Sequence, residues 1–181
     1  MSAYFRPRMP GACIFFTVCL AARGDRLLVD EIDRLRSAVG LTRRARPFHV
    51  DAWVVLPDHM HAVWTLPEGD ADYSVRWGAI KARFTRSLRD DCRAGFHPEN
   101  AKRTGHAVGW NPTLRKSASK ARKGDAGIWQ RRFWEHHVRS AAEYEALVTY
   151  CWQNPVKHGF VAQPEDWPYS SMHREMRLRR A

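Results

Sequence analysis

Two rhythms of apolar and polar residues alternate along this chain. Residues 14–20 (IFFTVCL) form an apolar run of strand formers interrupted only by Thr17, and residues 27–39 place Leu27, Leu28, Ile32, Leu35 and Val39 at helical recurrence, predicting strand then helix. Residues 48–56 and 60–66 are two β-rich runs separated by Pro57 and Asp58, whose fixed φ and local hydrogen bonding suit a turn, so a hairpin is expected. In residues 74–88 the apolar Val75, Ala79, Ile80, Phe84 and Leu88 share one side, with Arg76, Lys81, Arg83, Arg86 and Arg89 around the rest, predicting a basic amphipathic helix. Strand composition returns at residues 128–138 (IWQRRFWEHHV). Ser140 then opens S-A-A-E, a capping box that starts a helix at Ala141, and Pro155 limits it to about Asn154.

Between these patterned stretches the rhythm fails. Residues 101–132 hold nine Lys or Arg against the one acid Asp125, with Gly, Ser, Pro and Ala in place of an apolar period, so residues 93–127 read as a mobile basic insertion. From Gln163 the chain carries WPYSS and ends in Arg174, Arg177, Arg179 and Arg180, a surface tail with a short ordered anchor. No internal repeat is visible.

Composition narrows the function classes. With 181 residues the chain has the size of one domain with a core of its own. The uncharged run from Gly11 up to Arg23 is too short to span a bilayer, and its strand formers and lack of a cleavage pattern speak against a signal peptide. Thirty Lys and Arg against 19 Asp and Glu give a net charge of +11, a field that attracts polyanions such as nucleic acid. Cys13, Cys19, Cys92 and Cys151 show no C-x-x-C spacing, so neither a zinc ribbon nor a disulfide framework is expected, and a reducing, cytoplasmic setting fits. Eight Trp, five Tyr and eight Phe exceed what a small core needs, and aromatics beside Arg are the usual platform for unstacked bases.

The candidate chemistry lies in two places. In His59-Met60-His61, at the head of a strand, alternation puts both imidazoles on one face, where they can converge on a metal ion; the plain alternative is one hydrogen-bonded core His and one exposed. In the helix after Ser140, Tyr144, Leu147, Val148 and Cys151 define the buried stripe. Tyr150 lies about 120° from its centre, with Asn154 above it on the same exposed flank. A surface Tyr and a helix-ending Asn would look the same. Together, however, two His and an amide oxygen could hold a divalent ion with open positions beside a Tyr hydroxyl, which is a phosphoryl-transfer site. A free phenol is only about 0.1% ionised at pH 7, so a metal that polarises the phosphate would be needed for rate. Mg²⁺ or Mn²⁺ suits this donor set, though two His would also bind Zn²⁺ or Ni²⁺. For phosphate contact the candidates are Lys81, Arg83, Arg86, Arg115, Lys116, Arg131, Arg132 and Lys157; each could equally belong to a solvated face, and Lys157 to a helix C-terminus.

Most of the chain resembles one known family, the REP-associated tyrosine transposases, single-tyrosine members of the HUH endonuclease superfamily. The resemblance runs through YFRPRMPG…FFTVCLAARGDRLL, DAWVVLPDHMHAVWTLPE, IWQRRFWEHHVR, YCWQNPVKHGFV and DWPYSS, in the family's order. It implies that His59 and His61 are the metal ligands, Asn154 the third ligand and Tyr150 the nucleophile of a single-stranded DNA nuclease and strand transferase. Such an enzyme acts at hairpin-forming palindromic repeats through a 5′-phosphotyrosine intermediate. Two features depart from the family: the longer basic insertion, and Glu135 where Asp is common, so neither Glu135 nor His136 is taken as a primary ligand.

The expected architecture is α+β and ferredoxin-like: an antiparallel sheet of four or five strands within a catalytic domain over residues 1–162, followed by a basic tail over 163–181. The expected cofactor is Mg²⁺ or Mn²⁺ and the expected partner single-stranded hairpin DNA, for a monomer or homodimer associated with the nucleoid. The alternative is a non-catalytic nucleic-acid-binding protein that retains the fold.

Overall fold

The computed structural model of the chain describes residues 8–93 and 127–178. Its elements run β1 (Cys13–Cys19), α1 (Leu27–Asp30), α2 (Ile32–Ala45), β2 (His49–Val55), β3 (His59–Thr65), α3 (Tyr73–Arg93), β4 (Trp134–His137), α4 (Ala141–Lys157), a 3₁₀ turn (Pro164–Asp166) and α5 (Met172–Leu178). The strands form one antiparallel sheet in the order β2-β3-β1-β4. With helices after β1 and β3, this is the βαββαβ arrangement of ferredoxin-like folds, with four strands.

The pleat of β1 divides the molecule. Phe16 packs on Trp64, Tyr73 and Trp77, so α3 lies on its side, whereas Phe15 packs on His61 and Tyr150 of the opposite face, which α4 covers. The core on the α3 side is dense in rings: Trp64 and Trp77 stack at 4.2 Å with 16° between planes, and Phe48 closes on Trp64 at 4.2 Å. Such aromatic pairs add about 0.5–1.5 kcal/mol each beyond area burial. Arg76, expected on the basic surface of α3, is instead buried. All five of its N–H groups are used, on both Asp70 oxygens and on the carbonyls of Arg46, Pro47 and Asp72, which ties the start of α3 to the α2–β2 turn.

Three elements differ from the sequence expectation. The predicted helix over 27–39 kinks at Glu31, where α1 is pinned to the hairpin turn by the Leu28 N–H on the Pro57 carbonyl. The predicted strand over 128–138 contracts to Trp134–His137. Trp129 makes an isolated bridge to Leu20, and the Gln130 carbonyl accepts from Lys81 Nζ rather than from a strand. Helix α4 runs through Pro155 to Lys157 rather than ending at Asn154. The proline falls in the last turn, so its missing N–H forfeits one bond to Cys151, while the Asn154, Pro155 and Val156 carbonyls are taken by the N–H groups of His158, Phe160 and Gly159.

Residues 167–174 pack along the exposed edge of β2. Trp167 Nε1 donates to the Val55 carbonyl, the Val55 and Ser171 N–H groups bond to the Tyr169 and Trp53 carbonyls, and Arg174 reaches the Val50 carbonyl. An otherwise unpaired strand edge is thereby covered. Among the described residues no helix is long and apolar enough to cross a membrane.

Candidate functional site

The face of the sheet opposite α3 holds the predicted residues together. His59 and His61 point to the same side of β3, as strand alternation requires, with ring centroids 5.1 Å apart. Each is held at Nδ1 by a neighbour: His59 by Asp58 Oδ1 at 2.6 Å, and His61 by Thr17 Oγ1 at 2.9 Å from the adjoining β1, where Thr17 stands opposite His61 in register. Such contacts fix ring orientation and leave Nε2 free as a metal donor. Asp58 also accepts the Gly24 N–H at 2.8 Å. Burial alone would raise the Asp58 pKa, but these hydrogen bonds outweigh it and hold the carboxyl below its ordinary value. His61 is pushed down to about 3, first by burial and then by the charges of His59, His158 and Lys157, so its imidazole is neutral at physiological pH.

Helix α4 supplies the other half. Its N-terminus is set by the predicted cap: Ser140 Oγ accepts the Glu143 N–H at 3.2 Å, while the Glu143 carboxylate takes the Arg139 N–H and His136 Nε2, each at 2.7 Å. Tyr150, 37% exposed, sets its ring edgewise on His61 at 5.2 Å and on Phe15 at 5.8 Å. Lys157 Nζ lies 5.2 Å from the Tyr150 centroid, inside cation–π range and beside the phenol. His158, at the C-cap, meets His59 edgewise at 5.3 Å.

Asn154 corrects the sequence expectation of a shared exposed flank. It is 1% exposed, because the last turn of α4 packs down on β2 and β3. It lies one turn after Tyr150, which touches His61, and one turn before His158, which touches His59. Neither Oδ1 nor Nδ2 has a protein partner. A buried amide costs stability when left unpaired, and a ligand bound here would offset that cost. Among the described residues no three of His, Cys, Asp and Glu come together as a metal cluster. The donor set at hand is therefore two imidazoles and one amide oxygen, which suits a divalent ion.

The basic candidates divide. Lys157 joins the cleft, and Arg86, Arg131 and Arg132 are exposed. Arg83 does not join it: its guanidinium bonds to Thr42 Oγ1 at 3.0 Å, tying α3 to α2 across the sheet from Tyr150. Lys81 also lies on α3, where its ammonium bonds to Gln130 and sits 5.6 Å from the rings of Trp129 and Phe133. Arg115 and Lys116, with most of the basic insertion, lie outside the described residues. Sequence reasoning did not assign Asp58, Thr17, Phe15, Trp134 or His158. Asp58 was recoverable, since a carboxylate beside a candidate metal-binding His is a known orienting pair; Thr17 and Phe15 depend on strand pairing.

Fold and cleft together define an α+β protein of the ferredoxin-like class with a histidine pair on a central strand beneath a helix-borne tyrosine. No protein-family model matches the chain. The REP-associated tyrosine transposase of Escherichia coli (strain K12) is 42% identical over 176 residues, covering 97% of this chain and 86% of that protein. A Haemophilus influenzae relative bearing the same family name is 38% identical over 177 residues, covering 98% of this chain and 89% of that one. A solved structure of a REP-associated tyrosine transposase bound to a REP hairpin superposes with a TM-score of 0.73 at 40% identity, covering 97% of this chain and 86% of that chain. The chain belongs to the REP-associated tyrosine transposases, and its function is that of a transposase.

Proposed function

We propose that this chain is a divalent-metal-dependent nuclease and strand transferase that nicks and rejoins single-stranded DNA at hairpin-forming palindromic repeats, with Tyr150 as nucleophile. The observation that carries the reading is the Tyr150 phenol seated on His61 beside a buried, unpartnered Asn154 on the same helix. The solved relative bound to a REP hairpin supports the substrate class.

In this reading His59, His61 and Asn154 would hold a divalent ion, and the ion would supply polarisation of the scissile phosphate to offset the weak nucleophilicity of a phenol. Asp58 and Thr17 keep the two imidazoles turned toward it. Lys157 offers a cation to a phosphate oxygen beside the phenol. Tyr150 Oη attacks phosphorus and gives up its proton, the bond to the 3′ oxygen breaks, and that oxygen leaves as a 3′-hydroxyl. The DNA 5′ end remains on the protein as a phosphotyrosine. Attack by a 3′-hydroxyl reverses the exchange, releasing Tyr150 and restoring one phosphodiester, so no external energy source is consumed. Exposed Arg86, Arg131 and Arg132 add sequence-independent affinity for the backbone.

The test is a denaturing gel of the protein with Mn²⁺ or Mg²⁺ and end-labelled hairpins carrying single-stranded flanks, beside Tyr150→Phe. A protein-linked DNA band that vanishes in Tyr150→Phe, with hairpin binding retained, is expected. Cleavage that persists in Tyr150→Phe without a covalent link would replace this reading with a hydrolase that activates water.

A further inference from the structure

Trp134 is 54% exposed on β4, an edge strand, with its ring on the same sheet face as Tyr150. An indole left in water is an uncommon use of the largest side chain, and this one is held firmly in place. Its ring stacks on His136 two residues along, with centroids 5.7 Å apart and 7° between planes, and stands edgewise on Phe15 at 5.7 Å. His136 is fixed in turn by Glu143 of α4, the helix that carries Tyr150. Phe15 joins the stack to the cleft, since it lies at 5.5 Å on His61 and at 5.8 Å on Tyr150. Register gives the spacing: Trp134, Thr17 and His61 face one another across three neighbouring strands, so the indole lies two inter-strand steps, roughly 10 Å, from the histidine.

We propose that Trp134, braced by His136, is a stacking platform for one unpaired nucleobase flanking the phosphate at Tyr150. The inference rests on the reading of single-stranded DNA as substrate and adds to it a base subsite. A rigid, half-exposed ring with an aromatic backing layer presents a flat face to a base, and the pairing is tolerant of base identity because every base has a π-face. The exposed Arg131 and Arg132 immediately before β4, in a chain of net charge +11, bring the polyanion to this edge. The platform explains how a strand leaving a hairpin would be kept unpaired and in line beside the tyrosine.

The experiment measures hairpin binding by fluorescence anisotropy in the Tyr150→Phe background, which separates binding from cleavage. The probes are a hairpin with single-stranded flanks, the same hairpin with an abasic site stepped through those flanks, and the blunt hairpin. Trp134→Ala should weaken binding of the flanked hairpin by about tenfold, and Trp134→Phe by no more than about threefold. Both should bind the blunt hairpin as the parent does, which also shows that they are folded. One abasic position should cost the parent about as much as Trp134→Ala does and cost Trp134→Ala nothing further. Equal binding of the flanked hairpin by parent and Trp134→Ala, or an abasic profile that is flat in the parent or unchanged in Trp134→Ala, overturns the platform. The covalent link formed by protein with Tyr150 intact is scored on the same flanked hairpin: its presence with a failed platform leaves the nuclease reading standing, and its absence removes that reading.

Discussion

Asn154 offers a test in which stability and function should move in opposite directions. The side chain is 1% exposed and both of its polar atoms lack a protein partner. Leucine shares the Cγ branch of asparagine but is the larger of the two, carries no polar atom and has the better helix propensity, so Asn154→Leu removes the orphaned pair and opens no cavity, at some cost in overpacking. An unpaired buried polar group costs about 1–3 kcal/mol. At about 2–4 °C per kcal/mol for a chain of this size, the substitution should raise Tm in the presence of EDTA by at most about 12 °C, overpacking by the larger side chain taking the gain toward the low end. Adding Mn²⁺ should reverse the order. A ligand at a hundred times its Kd stabilises the protein that binds it by about 2.7 kcal/mol, and only the parent keeps the full donor set. Thermal unfolding followed by circular dichroism, with EDTA and then with a Mn²⁺ series, reads both effects, and the covalent-adduct gel should show the variant inactive. A lower Tm in EDTA for Asn154→Leu and for the smaller Asn154→Val alike would mean that the amide is satisfied in solution, and an unchanged Mn²⁺ response would remove Asn154 from the donor set. Either result refutes the reasoning.

Two further outcomes follow from contacts around the cleft and the core. Asp58→Ala removes the acceptor that orients His59, so Mn²⁺ affinity measured by calorimetry should fall about 10- to 100-fold; an unchanged affinity would show that His59 needs no orienting partner. Asp70→Asn leaves the buried Arg76 guanidinium without its counter-charge, and because three carbonyls still accept from it the loss should sit near the low end for broken buried pairs, about 3 kcal/mol or roughly 6–12 °C at pH 7. Hydrogen bonding to Arg76 lowers the Asp70 pKa from 3.8 to about 2. A depressed carboxyl pKa stabilises the fold above 3.8 and that contribution disappears as pH falls toward 2, so the Tm gap between parent and variant should close across this window. A gap independent of pH would assign the effect to packing.

Much of the frame was legible because it rests on local rules. The strand formers after Ile14, the β-rich run from Met60, the Pro57-Asp58 turn and the Ser140 cap each gave an element near its observed place, and strand alternation put His59 and His61 on one face. Tyr150 was legible as an exposed residue off the buried stripe. What escaped depends on tertiary partners. Asn154 was expected beside Tyr150 in the open, yet the way α4 settles on β2 and β3 buries it. Arg76 and Arg83 looked like surface charges on an amphipathic helix until Asp70, a ring of carbonyls and Thr42 claimed them. Pro155 was read as a stop, but a proline in a final turn loses only one hydrogen bond, and the last carbonyls of the helix find partners in the N–H groups of His158, Gly159 and Phe160. Residues 167–174 carry too little periodicity to announce that they close an edge, because that role is set by β2 rather than by their own sequence.

The division of the sheet by its pleat separates two kinds of evolutionary freedom. Along β1 and β3, every second residue belongs to the ring-packed side shared with α3, and the residues between belong to the cleft. Drift in the first set is screened by whether the chain stays folded in the cell, drift in the second by whether the cleft keeps its geometry, so neighbouring codons answer to different selection. A lineage could then reshape the cleft by changing alternate positions of strands whose folding half it leaves alone.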